Sequence, residues 1–128
     1  MAKQIIHTDT APAAVGPYSQ AVAAGPGKTV YLSGQIGLEP GTGELVSENF
    51  EGQVRQSFAN MQAVIEAAGG TLEHIVKLTL FLTDLSKFAS ANAIMADIIP
   101  QPFPARSTIG VASLPKGAQF EVEAVIVI

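Results

Sequence analysis

Apolar residues recur along this chain in two rhythms. Between Asn49 and Ala68, the residues Phe50, Val54, Phe58, Met61, Ile65 and Ala68 return every three or four positions, which lines up one face of an α-helix. Gly69-Gly70 follows as a stop signal, because glycine takes the left-handed cap conformation at little cost. Gly52 is a weak point inside the helix, costing about 1 kcal/mol relative to alanine. A second helix is predicted from Ser86 to Ile98, burying Phe88, Ala91, Met95 and Ile98. Pro100, Pro102 and Pro104 end it and keep the next stretch extended.

The other rhythm has period two. Val76, Leu78, Leu80 and Leu82 alternate with Lys77, Thr79, Phe81 and Thr83, which predicts a strand with one mainly apolar face. A strand is also predicted over Val30 to Ile36, after the Gly25-Pro26-Gly27 turn, with another turn at Pro40 to Gly43. Two more are predicted near Arg106 to Ala112 and Phe120 to Val127, separated by Leu114-Pro115-Lys116-Gly117. Strands, helix, strand, helix and strands in that order suit an α+β sheet with both helices packed on one face. The 128 residues make one domain, 1–128, with no linker or repeat dividing it.

The last strand bears on assembly. Phe120, Val122, Ala124, Ile126 and Ile128 point one way and can meet the helices, while Glu121, Glu123, Val125 and Val127 point the other way. Two helices cover only one side of the sheet, so Val125, Val127, Tyr31 and Phe81 need another cover. Each such residue left in water forgoes roughly 1.5–3 kcal/mol. A second copy of the chain, placed by closed symmetry, is the economical cover.

Composition narrows the chemistry. Hydrophobic residues make up 48% of the chain and charged ones 14%, with a net charge of -4 and the basic residues scattered singly. No basic footprint for a phosphate backbone results, so nucleic acid is not an expected partner. With no cysteine, disulfides, thiolate metal sites and a cysteine nucleophile are excluded. The N-terminus lacks an apolar stretch suited to a secretory signal, and no apolar run is long enough to span a bilayer. A soluble cytoplasmic protein without membrane contact is expected. His7 and His74 lie far apart in polar surroundings, no metal-ligand pattern is present, and neither a Gly-x-Ser-x-Gly elbow nor a phosphate-cradling glycine loop occurs. No metal and no cofactor is expected.

A short group of candidates remains. In Pro104-Ala105-Arg106-Ser107 an arginine opens an apolar strand and shares a face with Thr108, Gly110 and Ala112. Over such small neighbours its forked donors could grip a carboxylate through two parallel bonds. A salt bridge to Glu121 or Glu123 is the structural alternative. Glu121 and Glu123 share a face, where one could be a general base, though solvated strand carboxylates are common. Tyr18, in the turn Gly16-Pro17-Tyr18-Ser19-Gln20, reads on its own as amphipathic packing rather than catalysis. Ser33-Gly34-Gln35 closes a strand, where the glycine admits a ligand close to the backbone or marks a bulge.

These residues also form a pattern. Gly16-Pro17-Tyr18-Ser19-Gln20-Ala21, Leu32-Ser33-Gly34-Gln35, Glu66-Ala67-Ala68-Gly69, Asn92, Pro104-Ala105-Arg106-Ser107 and Phe120-Glu121-Val122-Glu123-Ala124 occur in this order. Over essentially its whole length the chain resembles the reactive-intermediate deaminase A family, RidA, also called YjgF. The resemblance implies a chorismate-mutase-like α+β fold with a mixed β-sheet, and a homotrimer with three sites in the clefts between subunits. It implies a cofactor-free enzyme that hydrolyses 2-imino or enamine acids, such as 2-iminobutanoate and 2-iminopropanoate, to 2-keto acids and ammonia.

The same resemblance implies that Arg106 holds the substrate carboxylate and that Glu121 positions and activates the attacking water. Tyr18 is then a further catalytic residue, and Ser33, Gly34, Asn92 and Thr108 line the site. Thr108 stands where many relatives carry cysteine, so a hydroxyl takes the place of a thiol. The segment from Ala93 to Ile99 is aliphatic where relatives often carry aromatic residues, which bears on the shape of the cleft. Two rival readings are a non-catalytic module that binds a small 2-keto acid and an endoribonuclease acting on single-stranded RNA, which the net charge opposes.

Overall fold

The computed structural model describes residues 3–128; Met1 and Ala2, which open both the expected domain and the N-terminal segment, lie outside the described residues. Among the described residues seven strands and two α-helices are formed. They run β1 (Lys3–Ile6), β2 (Ala21–Ala24), β3 (Thr29–Tyr31), β4 (Gln35–Ile36), α1 (Phe50–Ala67), β5 (Ile75–Leu82), α2 (Phe88–Ile98), β6 (Ala105–Gly110) and β7 (Phe120–Val127). β1 and β2 make a separate antiparallel pair, and the main sheet has the order β3-β7-β5-β6 with β4 also paired to β7. β5 and β6 are parallel and joined through α2, while β7 is antiparallel to its neighbours. The fold is α+β with a mixed sheet.

α1 begins where the sequence supplies a cap. The Asn49 side chain accepts the Gly52 backbone N–H at 2.8 Å, satisfying one of the free donors of the first turn. The helix stops at Gly69, whose φ of 92° lies where only glycine sits without strain. The face formed by Phe50, Val54, Phe58, Met61 and Ile65 is buried against Phe120, Val122, Ala124 and Ile126 of β7 and Leu78, Leu80 and Leu82 of β5. Phe120 is the centre of this layer, packed edge-on to Phe50 at 6.2 Å between ring centroids and tilted to Phe58 at 5.7 Å. α2 adds Ala91, Ile94 and Met95 to the same core, so both helices cover one face of the sheet.

The structure departs from the sequence pattern at definite points. The segment Val30 to Ile36 is not one strand. Four steps from Tyr31 to Gln35 match three from Val125 to Val122 on β7, so one residue bulges between β3 and β4. β5 starts at Ile75, and an irregularity between Ile75 and Lys77 puts Ile75 rather than Val76 in the core. α2 begins at Phe88, after a short turn of 3-10 helix (Leu85–Lys87) capped by Asp84, and buries Ile94 more deeply than Ile98. β6 ends at Gly110, short of Ala112. The hairpin of β1 and β2 was not legible, because the four residues Ala21–Ala24 are small and carry no alternating pattern.

The sheet face away from the helices is only partly covered. Tyr31 is 78% exposed and Ile109 42% exposed, with Phe81 and Val125 half-buried. Val127, expected to lack a cover, is buried within the chain: a Cβ on Gly27 would lie 2.8 Å from its Cγ1, so the Gly25-Pro26-Gly27 turn lies over it. No helix among the described residues is long and apolar enough to cross a membrane.

Candidate functional site

Arg106 opens the edge strand β6 directly after the proline-rich turn. The turn bearing Tyr18 is docked beside it by local bonds. Ser19 N–H donates to Pro104 O at 2.9 Å, the Ser19 hydroxyl donates to Phe103 O, and Ser19 bridges Ala105 in parallel register. The preceding loop is held by the Gln20 side chain, whose Oε1 accepts Thr8 N–H at 2.7 Å and whose Nε2 donates to Pro12 O at 2.6 Å.

These contacts bring the Tyr18 ring to 5.0 Å from the Arg106 guanidinium carbon, while Phe88 of α2 lies at 5.4 Å. The guanidinium is therefore held by two aromatic faces, each attracting the cation. Its Nη1 donates to Asn92 Oδ1 at 2.5 Å and contacts Met95 Sδ at 3.6 Å. Phe88, Asn92 and Met95 are spaced i, i+4, i+7 and so share one face of α2. Among the described residues Arg106 has no ion-pair partner, so the salt bridge to Glu121 or Glu123 is not formed. Burial pushes the Arg106 guanidinium below its ordinary value, opposed by Tyr18. It stays charged, since a guanidinium is not deprotonated in proteins. The arrangement leaves a fork with unused N–H donors facing a recess of about 310 Å³, lined by Val15, Gly16, Tyr18, Phe88, Asn92, Arg106 and Thr108.

Two hydroxyls complete this recess. Tyr18 Oη accepts Val15 N–H at 3.4 Å, which leaves its own proton free to donate. Thr108 Oγ1 is buried and has no hydrogen-bond partner among the described residues.

Ser33, Gly34 and Glu121 are elsewhere. Leu78, Leu80 and Leu82 of β5 point to the helices, and their β6 partners are Arg106, Thr108 and Gly110. Glu121 pairs with Phe81, one residue out of phase, and so lies on the other face. Gly34, in the bulge between β3 and β4, lies against it: a Cβ on Gly34 would be 2.8 Å from both Glu121 Cδ and Oε1. Burial raises the pKa of the Glu121 carboxyl above the ordinary range, and Glu123 raises it further. The expected site residues thus fall into two groups, Tyr18, Asn92, Arg106 and Thr108 on the helix face and Gly34 and Glu121 on the other side, with exposed Ser33 preceding Gly34 between β3 and β4. The sequence pattern assigns Phe88 and Met95 to the core alone, although their spacing from Asn92 is a signal that they share its face. His7 pairs with exposed Asp9, and His74 Nδ1 accepts Thr71 N–H, both away from the recess. Among the described residues no group of three or more His, Cys, Asp or Glu is placed to hold a metal ion.

Comparison with known proteins adds a second line. The family model described as endoribonuclease L-PSP matches residues 8–128. The chain is 47% identical over 126 residues to a 2-iminobutanoate/2-iminopropanoate deaminase of Dermatophagoides farinae, covering 98% of this chain and 97% of that one. It is 42% identical over 125 residues to the Homo sapiens protein of the same name, covering 98% and 90% respectively. The crystal structure of RidA from an Antarctic Psychrobacter superposes with a TM-score of 0.77 at 50% identity, covering 98% of this chain and 99% of that one.

Proposed function

Because the chain belongs to the endoribonuclease L-PSP family, which includes the RidA deaminases, we propose that it is a 2-iminobutanoate/2-iminopropanoate deaminase acting in the cytoplasm. The reaction is R–C(=NH)–COO⁻ + H₂O → R–C(=O)–COO⁻ + NH₃. The observation that carries this reading is the half-buried Arg106 guanidinium, oriented by Tyr18, Phe88 and Asn92 and lacking a carboxylate partner. A buried cation without a counter-ion is costly, and a bound carboxylate supplies one through two parallel bonds. The recess of about 310 Å³ suits a small acid, being at the low end for ligand pockets.

With the carboxylate fixed on Arg106, the imine carbon has a defined position. A water held by the Glu121 carboxylate adds at that carbon and gives one proton to the carboxylate, which passes it to the nitrogen. The resulting carbinolamine loses its hydroxyl proton to the same relay, the C–N bond breaks, and ammonia leaves with both protons of the water. Tyr18, whose phenol proton is free, donates to the substrate in the recess, and Asn92 holds the guanidinium.

Arg106 and Glu121 of one chain cannot meet over one substrate, because the sheet separates them. We therefore place the site between copies in a homotrimer. One subunit gives Tyr18, Asn92, Arg106 and Thr108, and its neighbour gives Ser33, Gly34 and Glu121. The partly covered face bearing Tyr31, Phe81 and Ile109 supports this placement. RNA cleavage, the reading that the family's description suggests, is opposed by the net charge of -4 and by Glu121 and Glu123 on that face. Freshly generated 2-iminobutanoate added to the protein tests the proposal. Loss of imine and appearance of 2-oxobutanoate above the spontaneous rate supports it, whereas binding of 2-oxobutanoate without acceleration indicates a binding module.

A further inference from the structure

Several glycines here are required by the backbone. Gly25, Gly43, Gly69 and Gly117 have φ of 135°, 69°, 92° and 69°, the region that side chains disfavour. Gly37 has no room for a side chain because its Cβ would lie 2.8 Å from Gln53 Cα and O, in the backbone of α1. Gly34 fits neither case. Its φ lies outside the left-handed region, and the three atoms nearest to a Cβ all belong to one side chain: Glu121 Cδ and Oε1 at 2.8 Å and Cγ at 3.1 Å. What needs a glycine at this position is the acid itself.

We propose that Gly34 is a positioning residue for Glu121, its missing side chain letting the carboxylate lie back against the bulge between β3 and β4. This deepens the deaminase reading and rests on it for its kinetic consequence. Ordinary carbon contacts begin near about 3.5 Å, so a methyl at Gly34 displaces the carboxyl by on the order of 1 Å. No backbone atom is among the nearest contacts, so the side chain yields and the fold does not. Displacement of a reacting group by about 1 Å can lower a rate by roughly 10²-fold. The bulge is what makes the close approach possible, because it carries Gly34 out of the regular ladder that flanks it at Tyr31 and Gln35.

The experiment is a double-mutant cycle with Gly34→Ala and Glu121→Gln, read by imine hydrolysis, thermal melting and carbon NMR titration of the labelled Glu121 carboxyl. Gly34→Ala is expected to keep the melting temperature and assembly of the parent and to lower kcat by roughly 10- to 100-fold. In the Glu121→Gln background the same substitution should cost less than about threefold, because the group it displaces no longer acts as a base. The titration of Glu121 should move to lower pH in Gly34→Ala, as the carboxyl is pushed toward water. Equal losses in both backgrounds, full activity of Gly34→Ala, or an unmoved titration overturns the proposal. A parent protein with no effect on imine decay overturns the deaminase reading instead, and the titration still decides whether Gly34 places the carboxyl.

Discussion

Arg106 and Glu121 lie on opposite faces of one sheet. Arg106 is level with Leu78 on the helix side of β5, and Glu121 is level with Phe81 on the other side, with β5 running between their strands. Strands are spaced about 4.8 Å apart, so the two side chains diverge from points two strands apart. Chemistry that uses both therefore joins two copies of the chain.

Arg106→Lys separates attraction from orientation. The charge remains, but an ammonium is a point charge and cannot hold a carboxylate through two parallel bonds. We expect imine hydrolysis to fall by on the order of 10²-fold, 2-oxobutanoate binding to weaken, and assembly to be retained. Among the described residues Arg106 has no ion pair to lose, and its side-chain partners are Asn92, Met95 and the rings of Tyr18 and Phe88. Unfolding of the variant, measured by circular dichroism, would assign Arg106 a structural role instead.

Thr108→Val removes the buried hydroxyl that lacks a partner. An unsatisfied buried polar atom costs about 1–3 kcal/mol, so the unliganded variant should be at least as stable as its parent in urea titration. Binding of 2-oxobutanoate should weaken by roughly 2- to 10-fold if the hydroxyl bonds the ligand. A loss of stability with unchanged binding would mean that Oγ1 is satisfied by ordered water.

The pH dependence follows from Glu121. Its pKa is raised by burial and then by Glu123, and below that pKa the carboxyl is protonated and cannot take a proton from water. The rate should fall as pH falls through the raised pKa of Glu121, which sets the acid limb of kcat/KM. Glu123→Gln removes the second cause only, so the limb should move to lower pH without reaching an ordinary value. An unmoved limb would detach the profile from Glu121.

Much of this was legible in the sequence because alternation is strict where one face is buried. Phe120, Val122, Ala124 and Ile126 defined the inner face of β7, and the heptad-like return of Val54, Phe58, Met61 and Ile65 defined α1. What was not legible depends on register. The bulges at Ile75 to Lys77 and at Leu32 to Gly34 each slip one residue, and a slip changes which side chain reaches the core without changing composition. Phe88 shows a related blindness. Its place at helical spacing predicts burial, yet its ring also lies 5.4 Å from the Arg106 cation of β6.

The shared site is tested most directly by hybrid trimers. Arg106→Lys and Glu121→Gln chains, each inactive alone, are mixed in equal amounts, unfolded and reassembled. If each site takes Arg106 from one subunit and Glu121 from its neighbour, random assembly leaves roughly one site in four with both native residues, the product of two one-half chances in a cyclic trimer. About a quarter of the parent's specific activity should then be recovered. Activity no greater than that of the two separate variants, in trimers shown to be mixed, would contradict it.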